Sequence, residues 1–126
     1  MELDEVERLL EHGERIGFLK PADDPAYLGW ILLSKVKPNL RFLQLVTPDD
    51  DPKGVAEERR RAEAPYMLLR VELKRSVHEA GDYETEQDYR QKESFWFRSL
   101  DEVEGQLTQW GYSLAEAMDA RELDAP

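Results

Sequence analysis

The chain has 126 residues, with 17 Lys and Arg against 28 Asp and Glu, a formal net charge of −11, and no cysteine. That length suits one domain, 1–126, with a single core, and the missing thiols exclude a disulfide framework and a thiolate metal centre. Hydrophobic residues at 40% and aromatics at 10% argue for a folded chain, because charge-rich disordered segments are poor in aromatics.

In chain order, Leu3, Val6, Leu9 and Leu10 fall at helical spacing and Gly13 stops the run, which predicts a first helix. "RIGFLK" (15–20) reads as a short strand ended by "PADDP". In "YLGWILLSKV" (27–36), Leu28, Trp30 and Leu32 alternate with Ile31 and Leu33, the pattern of a central strand covered on both faces. "KPN" (37–39) reads as a tight turn returning "LRFLQLVT" (40–47) as its strand partner. "VAEERRRAEA" (55–64) reads as a charged helix. "PYMLLRVELKRSVHEA" (65–80) alternates as a half-exposed strand, with Met67, Leu69, Val71, Leu73 and Val77 inward and Arg70, Glu72, Lys74 and Ser76 outward. Its expected partner, "YRQKESFWFRS" (89–99), sets Phe95 and Phe97 on the core side.

Two terminal helices follow, each opened by a capping box, Ser99 with Glu102 and Ser113 with Glu116. Leu100, Val103, Leu107 and Trp110 make the apolar stripe of the first; Leu114, Ala117, Met118 and Arg121 continue along the second. The tail 119–126 is expected to fray. The order α-β-β-β-α-β-β-α-α predicts an α+β two-layer sandwich, a mostly antiparallel sheet of about five strands packed with terminal helices.

No apolar run reaches the roughly 20 residues of a spanning helix, and "MELDEVERLLEHGER" has no signal-peptide core. A cytoplasmic protein with no membrane partner is expected. No phosphate-cradling glycine motif occurs, and neither His12, at a helix end, nor His78, expected exposed at a strand end, has a nucleophile signature beside it. "DDDPKG" begins like a calcium loop, but Lys53 and Arg60 fall where oxygen ligands are required, so an acidic turn is expected. These absences predict no enzyme, no cofactor and no metal.

The placement of charge carries the functional expectation. Residues 1–12 hold five acids and one arginine, net −4; residues 99–126 hold seven acids and one arginine, net −6; the total of −11 leaves −1 between them. Such a field repels nucleic acid and attracts basic proteins. Within "GDYETEQDYRQKESFWF" (81–97), Asp82, Glu84, Glu86 and Asp88 alternate beside Tyr83 and Tyr89. Carboxylate and aromatic face both attract a cation, so this segment and Trp96 are the candidate partner-binding residues. The function expected is neutralising or escorting a basic protein, as an immunity protein of a bacterial toxin does. The element order and acidity also resemble those of the small acidic chaperones of bacterial secretion systems, which implies an escort role. The alternative is a nucleic-acid-binding sheet face, with Trp96 amid Arg90, Lys92, Arg98, Arg70 and Lys74. A homodimer contact through the same face is a further alternative.

Overall fold

The run 27–35 carries apolar side chains on both faces, and the fold covers both. The computed structural model describes residues 1–126. Strands β1 (Ile16–Lys20), β2 (Tyr27–Lys35), β3 (Tyr66–Lys74), β4 (Tyr89–Phe97) and β5 (Met118–Asp119) form one antiparallel sheet in the order β4-β3-β2-β1-β5. Five helices complete it: α1 (Leu3–Glu11), α2 (Leu40–Leu45), α3 (Pro52–Glu63), α4 (Arg75–Ala80) and α5 (Leu100–Trp110). This is the α+β architecture that the periodicities predict. No helix is long and apolar enough to cross a membrane.

On the first face Ile16, Phe18, Ile31, Leu33 and Leu68 pack under Val6 and Leu10 of α1 and Val103 and Leu107 of α5. The half-buried Phe95 and Phe97 join this core, but on the face of Leu68, Arg70 and Glu72, opposite to Met67, Leu69, Val71 and Leu73, with which the sequence pattern groups them. Phe95 meets Trp110 edge-on at 5.2 Å. On the second face Trp30, Leu32, Val71 and Leu73 are sealed by Ala120 and Leu123. β2 is therefore covered on both sides, as its sequence implies.

Several local expectations are corrected. Residues 40–45 form α2, not the strand partner of β2. Asn39 caps that helix by accepting from the Phe42 N–H at 3.0 Å, and Asn39 itself donates to Glu58 of α3. A short apolar run fits either period, and here the cap decides. β2 pairs instead with β3, across the α2–α3 excursion. The strand expected over 65–80 ends at Lys74, where α4 begins. Within it, Glu72 is buried, because the uncovered end of the first face closes on it with polar partners.

No second terminal helix follows α5. Gly111, at φ +90°, ends α5; Ser113 caps only a single 3-10 turn, 114–116, before β5. The tail does not fray. Asp119 pairs with Ile16, and the Trp30 indole N–H donates to the Leu123 carbonyl at 2.9 Å inside the second core. His78, expected exposed, is half-buried there, its ring edge-on to Trp30 at 5.0 Å.

Candidate partner-binding surface

The segment 82–89 does not hold four carboxylates on one strand face. Gly81 at φ +70° ends α4 in the left-handed region, and the chain runs out irregularly to a 3-10 turn at Glu86–Asp88. Repulsion is avoided because each of three acids has a partner. Asp88 accepts from the Thr85 N–H and hydroxyl at 2.8 and 3.0 Å, and these bonds, the backbone one foremost, hold its carboxyl below the usual range. Tyr89 donates its hydroxyl to Glu84 at 2.7 Å; burial first, and then that bond, pushes the phenol up to about 12. Glu86 pairs with Lys92 at 3.0 Å, and the same ammonium lies 4.7 Å from the centre of the Tyr89 ring. The carboxylate–tyrosine constellation does receive a cation, but the cation is the chain's own Lys92. Of the candidate residues, Asp82 and Tyr83 alone remain without a side-chain partner, and Tyr83 is wholly exposed.

The cations expected around Trp96 are divided between two faces. Cross-strand partners share a face, so Trp96 sits with Met67, while Arg70 sits opposite Glu93 on the other side. Arg70 covers the Trp110 ring at 4.6 Å and bonds Glu93. A register shift at Glu72/Leu73 leaves Arg90 as the extra residue of a bulge, and Arg90 reaches Glu72 at the uncovered end of the face that Arg70 occupies. Trp96 is half-buried under the Arg60 guanidinium of α3, 4.6 Å from the ring centre. No continuous cationic platform surrounds it, and the stacking surface is occupied from within.

Sequence reasoning overlooked the cluster around Glu72. Gly29 lies between Lys20 and Glu72 in the register, and its missing side chain leaves the gap that Lys20 crosses; a Cβ there would stand 2.5 Å from the Lys20 carbonyl oxygen. Lys20 bonds one Glu72 oxygen at 2.7 Å and Arg90 the other through Nε at 2.7 Å. Burial pulls the Glu72 carboxyl upward, but the two cations outweigh it and hold it below the ordinary value. A polar depression of about 450 Å³ opens over the cluster. A carboxylate with both oxygens occupied and a depressed pKa is a weak proton acceptor, so this arrangement ties the sheet end together. No three His, Cys, Asp or Glu side chains converge to hold a metal ion. At the other acidic motif, Asp51 caps α3 by accepting from the Gly54 N–H at 3.0 Å.

Most acids of α1, with Glu2 before it and Asp101 of α5, are without a cation, whereas Glu102 and Glu104 of α5 accept from the Arg98 and Leu114 N–H groups. Elsewhere most carboxylates meet a cation or a backbone N–H: Arg61 takes Glu57 and Glu58, Arg75 takes Glu79, and Arg121 takes Asp119. On α1 only Glu11 is paired, with Lys35 and Lys37, and Lys35 holds its carboxyl below the usual range. Glu2, Asp4, Glu5, Glu7 and Asp101 have no cationic partner. Between the two helices lies a cleft of about 550 Å³ floored by Leu3, Val6, Leu100 and Leu114, with Glu2, Asp101 and Glu104 at its rim. Glu104 also accepts from the Leu114 N–H at 3.0 Å, which fixes the 113–115 wall. A second depression continues past Leu3 and Leu100 to Glu7, Tyr66 and Arg98. No protein-family model, curated protein or solved structure matches the chain.

Proposed function

We propose that this chain is a non-enzymatic binding protein that neutralises or escorts a basic protein partner, as an immunity protein or an acidic chaperone does. The observation that carries the reading is the set of unpaired carboxylates, Glu2, Asp4, Glu5, Glu7 and Asp101, of which Glu2 and Asp101 rim an open apolar cleft and Glu7 the depression next to it. Each helix N-terminus carries a partial positive charge that makes adjacent acids tolerable, worth about 0.3–1 kcal/mol apiece. The helix ends therefore offset part of the repulsion among these acids, and a cationic surface meeting them gains speed of encounter and orientation. The 82–88 loop contributes less to this reading than its composition suggests, since Glu84, Glu86 and Asp88 are engaged within the chain.

The test compares the protein with a variant carrying Glu2→Gln, Glu5→Gln, Glu7→Gln and Asp101→Asn. Immobilised protein should capture basic proteins from a cell extract at low ionic strength and release them as salt approaches about 0.5 M, where screening is short-ranged. The variant should capture fewer. An unchanged capture profile at matched thermal stability would refute the reading.

A further inference from the structure

We infer that the α1–α5 cleft is the seat of a cationic amphipathic helix supplied by the partner; the inference rests on the binding function proposed above and specifies its contact. Leu3 is 55% exposed although it lies at the mouth of both depressions, so a large apolar side chain waits there uncovered. Leu3, Val6, Leu100 and Leu114 supply a floor for a few apolar side chains, and Glu2, Asp101, Glu104 and, next door, Glu7 supply a negative border. Arg98 at the far end and the Met1 amine, which donates to the Ala115 carbonyl, are the positive groups on it.

The form of the occupant follows from hydrogen bonding. An extended segment brings a backbone N–H and C=O at every residue and needs a sheet edge to satisfy them. The polar groups here are chiefly carboxylates, which accept but do not donate. Their spacing belongs to helix surfaces and not to a strand ladder. A segment that satisfies its own backbone, with apolar anchors at i, i+3 or i+4 and i+7 and Lys or Arg flanking them, matches both floor and border. Anchors reaching the floor would cover Leu3, and flanking cations would find Glu2, Glu7 and Asp101, which no cation of this chain pairs, while Glu104 is held by the Leu114 N–H.

Two synthetic peptides of about 15 residues, long enough to reach a helix, distinguish the outcomes. Both contain the same Lys and Leu residues; one places Leu at helical spacing and the other is scrambled, with oligolysine as a third probe. In a titration followed by backbone amide NMR, the amphipathic peptide should bind about tenfold tighter than the scrambled one and shift the amides of Leu3, Val6, Leu100 and Leu114. Leu3→Ser should erase that tenfold difference and leave oligolysine binding unchanged. Ala115→Arg, at an exposed wall position, should abolish amphipathic binding even if Leu3→Ser proves unstable. Equal binding of the two peptides, or indifference to both substitutions, overturns the cleft as the seat while the cationic-partner reading stands. Failure of all three probes to bind at low ionic strength overturns that reading as well.

Discussion

Glu72 is the one charged residue that the sheet buries. It is tolerated because Gly29 gives Lys20 a path to one oxygen while the β4 bulge delivers Arg90 to the other. Removing one partner of a wholly buried ion pair costs about 3–5 kcal/mol. Lys20 and Arg90 keep part of their surface in water, so Glu72→Gln should cost less, about 2 kcal/mol, in urea-induced unfolding. The pH dependence has a definite sign. The folded carboxyl titrates below its ordinary value of 4.5, so its stabilisation is complete above that value and is lost as pH falls through the lower folded pKa. The wild-type protein should therefore lose more stability than Glu72→Gln on acidification below about pH 4.5. Parallel losses would show that the ion pair contributes nothing net.

At the scale of elements, what the sequence makes legible is what period and cap determine locally. α1 and α5 stand where helical spacing places them, Ser99 capping the second, whereas α3 starts at Pro52, three residues ahead of the charged run 55–64, with Asp51 as its cap. β2 declares itself by apolar side chains on both faces. The failures have long-range causes. "LRFLQL" suits either period, and its fate turns on the Asn39 cap and on Glu58, nineteen residues away. "RELDAP" looks polar enough to fray, yet Leu123 is held because Trp30 offers it a buried indole N–H from 93 residues away. The acidic loop misleads for a similar reason, since alternation alone does not reveal that Lys92 and Tyr89 would turn back upon it. The unpaired acids of α1 are legible as charge, but the cleft beside them exists only once α5 is packed. One consequence is measurable. Leu123→Ala should lower stability by about 2–3 kcal/mol, near the lower end of the range for buried leucine truncations, and shift Trp30 fluorescence to the red. A change below about 0.5 kcal/mol, usual for surface positions, would place Leu123 outside the core.

For the whole molecule the balance lies between a net charge of −11 and a set of ion pairs that are mostly on the surface. Exposed pairs contribute about 0–1 kcal/mol each, whereas self-repulsion acts among all the unpaired acids. Raising salt from about 0.01 M to about 0.15 M, which shortens the screening length from about 30 to about 8 Å, should therefore raise the thermal midpoint. A fall would mean that the pairs outweigh the repulsion. A different consequence follows from the pairing of Ile16 with Asp119. Closing a loop that long is a late event, because its entropy is spent before any contact returns it. The β3–β4 hairpin can zip first, leaving Trp30, Val71 and Leu73 bare until the last segment arrives. On a ribosome delivering about 5–20 residues per second, a nascent chain passes through an interval with one greasy side open. That interval, more than the finished molecule, is where aggregation would begin.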